Sequence, residues 1–155
     1  MLLSELLSID RIKIPLESQT KDDLLRELVG VAAAPAGQPA RDDVLRAVRE
    51  REAVLSTGIG HGVAIPHGKS SAVGDLRMAA GRAAAPVDFD ALDGQPVSLF
   101  FLLVGPESAA GPHIKALSRI SRLVRKDEVR DKLVAAQTAQ EFMDALKEAE
   151  SLATA

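Results

Sequence analysis

The 155-residue chain is long enough for one domain, residues 1–155, with a hydrophobic core of its own. Its net charge of −3 and its 3% aromatic content argue against a nucleic-acid binder, because such proteins need a basic surface and aromatic side chains that stack on bases. The absence of cysteine excludes disulfides, thiol catalysis and zinc sites built on cysteine.

The first third of the chain predicts one strand and two helices. Met1 to Leu7 carries an early acid and no basic region, so we find no signal peptide and expect a cytoplasmic protein. Arg11 to Leu16 alternates polar and apolar residues, as a half-buried strand does. Thr20 to Asp23 resembles a capping signal for a helix that Pro35 to Pro39 should end. A second helix is expected from about Asp42 to Arg51.

The next segment, Gly58 to Gly68, holds four glycines, one proline and two of the three histidines in eleven residues. Glycine permits tight turns and close approach of a ligand, and proline restrains the residue before it. Val63 to Ile65 reads as a short buried strand that leads to His67. The segment is therefore the first candidate for a functional site.

The following region predicts the middle of a sheet. Leu76 to Ala80 alternates as a strand does, Pro86 to Phe89 can continue the sheet, and Asp93-Gly94 is a turn signal. Pro96 to Val104 is apolar on both faces, which predicts a central strand covered by helices on each side. This apolar run is far shorter than the roughly 20 residues that a membrane-spanning helix needs.

The last third predicts helices. Gly105 to Pro112 reads as a loop, and His113 should open a helix whose apolar residues, ending at Val124, recur with a period of 3.6. Thr138 to Glu141 has the pattern of a capping box for a final helix. The expected fold is a single α/β domain with helices packed on both faces of its sheet.

One stretch of this region is strongly basic. Between Glu107 and Asp127 there is no acid, and five positive charges fall within twelve residues: Lys115, Arg119, Arg122, Arg125 and Lys126. A solvated helix face and a docking surface for an acidic partner both explain this pattern, and the residues alone do not separate them.

His67 is the main candidate for chemistry. A histidine at this place could be a core or turn residue satisfied by a backbone carbonyl. Alternatively, a neighbouring carbonyl could fix one tautomer and leave the other nitrogen exposed as a nucleophile or ligand near neutral pH.

The other two histidines offer weaker signals. His113 sits at an expected helix N-terminus, which favours an anion, although it could also be a simple cap. His61 lies within the glycines and is expected to face solvent. Three histidines could bind zinc, but no pair has the i, i+4 spacing and no carboxylate lies close in sequence to His61 or His67, so no metal is expected. The glycines lack the pattern of a nucleotide-binding loop.

Five segments of the chain resemble the EIIA domains of the fructose/mannitol class of the bacterial phosphoenolpyruvate-dependent phosphotransferase system. The resemblance covers nearly the whole length, and the segments that carry it are Ser56 to Lys69, Pro86 to Val97, Phe100 to Pro106, His113 to Leu123 and Leu133 to Gln137. The Ile-Pro-His-Gly motif around His67 is the most specific of these signals. The resemblance implies a mixed sheet with helices on both faces.

The resemblance also implies a function. His67 would accept a phosphoryl group from an HPr-type phosphocarrier protein, with Enzyme I and phosphoenolpyruvate upstream. It would hold the group as a tele-phosphohistidine and then pass it on. His113 matches the family's second active-site histidine, and Arg51 matches an arginine near that site. The phosphate would be supported by the loop around His67: Gly58, Gly60, His61, Gly62 and Gly68. No cofactor is implied.

Within this class, the chain is most similar to the free-standing, nitrogen-related branch, whose members regulate through their phosphorylation state. His61 departs from that branch, which usually has asparagine there; a histidine can still donate a hydrogen bond. The alternatives are a fructose- or mannitol-type EIIA that passes phosphate to a separate EIIB, a purely regulatory binding module, and a histidine-zinc hydrolase. We find no exposed apolar heptad that would predict a dimer, so the sequence leaves the oligomeric state open.

Overall fold

The computed structural model of the protein describes residues 2–33 and 37–154. Within them, six strands form one sheet: β1 (Ile12–Leu16), β2 (Gly58–Gly60), β3 (Val63–Ala64), β4 (His67–Lys69), β5 (Arg77–Val87) and β6 (Val97–Gly105). The same residues form six α-helices: α1 (Leu3–Leu6), α2 (Lys21–Ala32), α3 (Gln38–Val54), α4 (Ala110–Leu123), α5 (Asp127–Ala135) and α6 (Ala139–Thr154).

The sheet is mixed, with the strand order β1-β5-β6-β3-β2 and with β4 paired to β6 as well. β5 runs antiparallel to β6, whereas β3 and β4 both run parallel to it. β3 and β4 follow one another along the same edge of β6, since Val63 is opposite Leu99 and His67 is opposite Leu103. His67 therefore begins a strand directly after the break made by Pro66.

Two hydrophobic cores lie on opposite faces of the sheet. In β6, the odd-numbered residues from Leu99 to Leu103 pack on one face with α1, α4, α5 and α6. The even-numbered residues from Phe100 to Val104 pack on the other face with α2 and α3. Because successive side chains of a strand point to opposite faces, an uninterrupted apolar run fills both cores. The expected α/β fold and the central position of this strand are confirmed.

The capping signals are confirmed at two helices. The Asp23 N–H donates to Thr20 Oγ1 at 3.3 Å, and the Glu141 N–H donates to Thr138 Oγ1 at 3.1 Å. The Glu141 carboxylate accepts from the N–H of Gln137 at 2.6 Å rather than from that of Thr138. In this second capping box, the backbone N–H that donates to the glutamate side chain therefore belongs to the residue before Thr138.

Several expected boundaries were wrong. α3 begins at Gln38, not near Asp42, because Pro39 lies in its first turn, where a missing N–H costs nothing. Pro35 lies outside the described residues. The two strand candidates, Leu76 to Ala80 and Pro86 to Phe89, overlap one strand, β5, which begins at Arg77 and ends at Val87. α5, which no pattern had predicted, follows α4 directly.

α4 differs most from expectation. The segment expected to be a loop, Gly105 to Pro112, contains a 3-10 turn at Glu107–Ala109 and the first residues of α4, so His113 is the fourth residue of the helix and not its first. The start of the helix also buries a face one residue out of phase, since His113 is buried whereas Ile114 is 67% exposed. Further along, Ile120 and Val124 are buried as expected.

No helix within the described ranges combines the length and the apolar character that crossing a membrane requires.

Candidate active site at two adjacent histidines

The ring of His67 is held in one orientation by its own backbone neighbourhood. Its Nδ1 lies 2.9 Å from the carbonyl oxygen of Ile65. A carbonyl can only accept, so Nδ1 carries the proton and Nε2 keeps its lone pair. The side chain is half-buried, and burial lowers the pKa of His67 from its ordinary value. The ring is therefore a neutral imidazole with one nitrogen available for reaction.

His113 packs against His67. Their ring centroids are 5.5 Å apart in an edge-to-face arrangement. His113 is 3% exposed, and neither of its ring nitrogens has a hydrogen-bond partner among the described residues. Burial, together with the neighbouring His67 and Lys69, lowers the pKa of His113 to about 4. A buried imidazole with free polar atoms can donate a hydrogen bond to a group bound at its neighbour.

Positive charge lies beside this pair. Arg51, in the last turn of α3, donates from Nη1 to the carbonyl of Leu55 at 2.9 Å. Its charge contributes to lowering the pKa of His67, after the larger effect of burial. The structure thus brings His67, His113 and Arg51 to one place. Lys69, at the end of β4, adds a further cation whose ammonium is 3.6 Å from Glu107.

Two glycines permit close approach of neighbouring elements. A Cβ on Gly68 would lie 2.9 Å from the backbone nitrogen of Val48, so the absence of a side chain lets β4 pack directly on α3. A Cβ on Gly58 would lie 2.7 Å from the Cβ of Ala91. Both glycines act through packing that positions the His67 segment.

Gly60, His61 and Gly62 form the turn between β2 and β3. Their φ angles are 101°, 58° and 76°, all in the left-handed region that favours glycine and tolerates asparagine or histidine. The side chain of His61 is exposed, as expected. The hydrogen bond that the structure gives it comes from its backbone N–H, which donates to Asp93 Oδ2 at 3.3 Å.

A buried carboxylate that the sequence reasoning missed supports the site. Glu52, 7% exposed, accepts from the Thr57 N–H at 2.9 Å and from Thr57 Oγ1 at 2.5 Å, and its carboxylate lies 3.0 Å from Lys21 Nζ. The carbonyl of Thr57 accepts from the N–H of Ile65 at 3.0 Å. Ile65 in turn holds the ring of His67. A continuous chain of polar contacts thus links α2 and α3 to the ring of His67.

The spacing of residues along α3 could have predicted that this carboxylate is buried. Glu52 follows Val44, Leu45 and Val48 at intervals typical of one helix face, and those three residues are buried. An acid in phase with a buried face predicts a buried, partnered carboxylate.

Within the ranges that the structure describes, no three His, Asp or Glu side chains are grouped so that they could hold a metal ion.

Comparison with known proteins identifies a family and several relatives. The family model described as phosphoenolpyruvate-dependent sugar phosphotransferase system, EIIA 2, matches residues 5–149. A nitrogen regulatory protein of Bradyrhizobium diazoefficiens is 39% identical over 94% of this chain and 95% of its own length. The fructose-specific EIIABC component of Bacillus subtilis is 36% identical over 96% of this chain, which spans only 23% of that protein.

A solved structure has the same fold. The crystal structure of nitrogen regulatory protein IIA-Ntr from Neisseria meningitidis superposes with a TM-score of 0.86 at 35% identity, over 93% of this chain and 98% of that one. The resemblance seen in the sequence is confirmed: the chain belongs to the EIIA 2 family of the phosphoenolpyruvate-dependent sugar phosphotransferase system.

Proposed function

We propose that this protein is a phosphoryl carrier that accepts a phosphoryl group on Nε2 of His67. The observation that carries the proposal is the bond from His67 Nδ1 to the Ile65 carbonyl, which leaves Nε2 unprotonated. Burial keeps the ring neutral near pH 7 by lowering its pKa. A neutral imidazole with a free lone pair is the form that attacks phosphorus.

The bonds formed and broken in the phosphoryl transfer balance without a metal or cofactor. His67 Nε2 forms a bond to the phosphorus of a phosphohistidine on the donor, while the donor's N–P bond breaks and its electron pair returns to the donor imidazole. The Nδ1 proton of His67 stays on Nδ1, hydrogen-bonded to the Ile65 carbonyl, throughout. Such transfers depend mainly on positioning and on charge stabilisation.

His113 and Arg51 supply that stabilisation. The phosphoryl group brings a charge of about −1.5 to −2 to the site. The edge-to-face His113 ring has unpartnered nitrogens that can donate to a phosphoryl oxygen, and Arg51 adds a nearby positive charge. Replacing His113 by alanine should therefore slow transfer while leaving phosphorylation detectable.

Exposed apolar residues on the segments that form this site suit a protein partner. The described residues include eight large apolar side chains that are exposed, and five belong to segments of the site: Val54, Leu55, Ile59, Leu92 and Ile114. The hydrogen bond from the Leu92 N–H to the Gly58 carbonyl, 2.9 Å long, joins two of these segments. We infer that an HPr-type phosphocarrier, charged by Enzyme I and phosphoenolpyruvate, docks here in the cytoplasm.

The downstream role that we favour is regulation. The match to the nitrogen regulatory protein extends over 95% of that relative. The second candidate, transfer to an EIIB component on another chain, is favoured by the fructose-specific relative, whose name joins EIIA with B and C parts.

The proposal is tested by incubating the protein with phosphoenolpyruvate, Enzyme I and an HPr-type carrier and measuring its intact mass. We expect one acid-labile phosphoryl group, absent from the His67→Ala variant. The matched control is His61→Ala, which removes the exposed histidine of the same loop and should keep the label. Labelling that survives in His67→Ala would remove His67 from the central role.

A further inference from the structure

α4 carries a row of positive charge on the side away from the two histidines. Lys115, Arg119 and Arg122 lie at positions i, i+4 and i+7, so they share one face over about 10 Å of helix. Lys126, just beyond the helix, lines a groove together with Arg119 and Arg122. These four residues are called the α4 basic stripe. On a helical wheel its centre is roughly opposite His113, which is buried.

Most of this charge has no counter-charge. All 19 Lys and Arg residues lie in the described ranges, and five of their side chains have neither an ion pair nor a hydrogen bond there: Lys115, Arg122, Arg125, Lys126 and Lys147. Three of the five belong to the α4 basic stripe, and Arg125 is next to it. Arg119 alone is paired, with Glu150 at 3.0 Å. On a chain of net charge −3, this is a local reversal of sign.

Helix electrostatics explain only part of the pattern. Cations are favoured near the C-terminal end of a helix, which accounts for Arg122. Lys115, however, is the sixth residue of α4, close to the end where the helix dipole opposes a cation. No acid between Glu107 and Asp127 compensates for it. The stripe therefore carries an electrostatic cost along its length that an anionic partner would relieve.

The α4 basic stripe lines a groove. Three stripe cations line it, and its apolar walls are Leu123 of α4 and Ala153 of α6; its volume is about 230 Å³. A groove lined by both cations and apolar side chains fits side chains that end in carboxylates and have aliphatic stems.

We propose that the α4 basic stripe is a docking surface for an acidic segment of a partner protein. The chain has no Trp or Tyr, the residues that anchor proteins at a membrane interface, and its negative net charge disfavours nucleic acid. Because the stripe and His67 lie on different sides of α4, a partner can dock here while the phosphorylation site stays open. The proposal does not depend on phosphoryl transfer by His67.

The test is an NMR titration of the ¹⁵N-labelled protein with an oligoglutamate peptide at low ionic strength. We expect amide shifts that concentrate at residues 115–126 and in the last turn of α6, and binding that weakens as salt is added. Shifts spread evenly over other basic residues, or no binding at low salt, would overturn the proposal. So would binding to phosphatidylserine vesicles without binding to the peptide, since that would identify a lipid surface.

Two charge-reversed variants separate the effect of the α4 basic stripe on binding from the effect of the protein's net charge. Arg122→Glu with Lys126→Glu should weaken peptide binding roughly tenfold or more, because two attractions become repulsions. Arg26→Glu with Arg46→Glu changes the net charge equally at side chains that are 64% and 63% exposed on α2 and α3. It should change the affinity less than about twofold. Equal weakening by both pairs would contradict a specific surface.

A neutral variant guards against damage to the fold. Arg122→Gln with Lys126→Gln removes the charges without placing acids next to Asp127, and it should still weaken binding several-fold. It should accept phosphate on His67 at the wild-type rate, because neither residue contacts that site. Unchanged peptide binding in this variant would overturn the proposal.

Discussion

At the scale of single residues, the hydrogen bond between His67 Nδ1 and the Ile65 carbonyl decides which ring nitrogen can react. A histidine free in solution exchanges between two tautomers and is partly protonated near neutral pH. Here the carbonyl selects one tautomer, and burial lowers the pKa of the ring. The reactivity that we propose at Nε2 follows from these two local effects, which supply an unprotonated nitrogen without a separate general base.

His113 should make stability depend on pH. Its pKa is about 4 in the folded protein, against an ordinary value of 6.5. Below pH 6.5 the unfolded chain therefore binds a proton that the folded protein does not, so stability falls as pH is lowered towards 4. Between pH 7 and pH 5 we expect this residue to account for a loss of about 2 kcal/mol.

The measurement is the free energy of unfolding by urea at both pH values, for the wild type and for His113→Gln. The variant should lose about 2 kcal/mol less over this interval, because glutamine does not titrate. Parallel pH profiles for the two proteins would show that His113 is not held neutral by its surroundings.

His61 matters for its backbone rather than its side chain. It has φ 58° and is followed by Gly62 with φ 76°, the two-residue pattern that favours Asn-Gly in tight hairpins. This geometry explains how histidine can stand where asparagine is usual. We expect His61→Asn to change stability by less than about 0.5 kcal/mol and His61→Val to cost about 1–2 kcal/mol, both measured by urea unfolding. Equal stability of the two variants would contradict the assigned turn.

At the scale of elements, α3 positions the segments that form the site. It contacts β4 closely at Gly68 and places Arg51 near the ring of His67. Through Glu52 it also holds the loop at Thr57. One helix thus supplies a packing surface, a cation and a hydrogen-bond anchor to the same short segment.

The Glu52 anchor can be tested against a neighbour on the same helix. Glu52→Gln removes the charge that pairs with Lys21 and weakens the bonds to Thr57, so we expect a stability loss of about 1–3 kcal/mol. It should also slow phosphorylation of His67 and broaden its ring ¹⁵N signals as the tautomer becomes less fixed.

The control is Glu50→Gln, which alters a 68% exposed carboxylate 3.6 Å from Arg46. It should change stability by less than about 0.5 kcal/mol and leave the tautomer unchanged. If Glu52→Gln lost stability but kept the wild-type ring signals and transfer rate, Glu52 would be structural only and would not position His67.

The elements that could be predicted from sequence are those with a local signal. The apolar run of β6 and the caps at Thr20 and Thr138 are set by neighbouring residues, and each is confirmed. The face that α4 buries at its start could not be predicted in this way. A pattern based on apolarity alone selects Ile114 for the core, whereas the fold buries the polar ring of His113 against His67.

The site itself was predictable in part for the same reason. The glycines, proline and histidines around His67 are close in sequence, and their density marked this segment as a candidate site. The contacts of Glu52 with Lys21 and of His61 with Asp93 join separate segments, so they depend on the folded arrangement. Only tertiary structure brings these partners together.

At the scale of the whole molecule, the two cores share one sheet. β6 contributes alternate side chains to both of them, so neither helical layer keeps its core without the strand in common. We therefore expect residues 5–149, the extent of the family match, to unfold as one unit. Calorimetry should give a single transition with equal calorimetric and van't Hoff enthalpies; two separate transitions would show that the layers are independent.

The most direct test of the account is the site of phosphorus attachment on the ring of His67. The protein, labelled with ¹⁵N in its histidine rings and phosphorylated through an HPr-type carrier, is examined by two-dimensional ¹H–¹⁵N NMR. We expect phosphorus on Nε2, with the Nδ1 proton retained and still hydrogen-bonded to the Ile65 carbonyl. Phosphorus on Nδ1, or on a histidine other than His67, would contradict it.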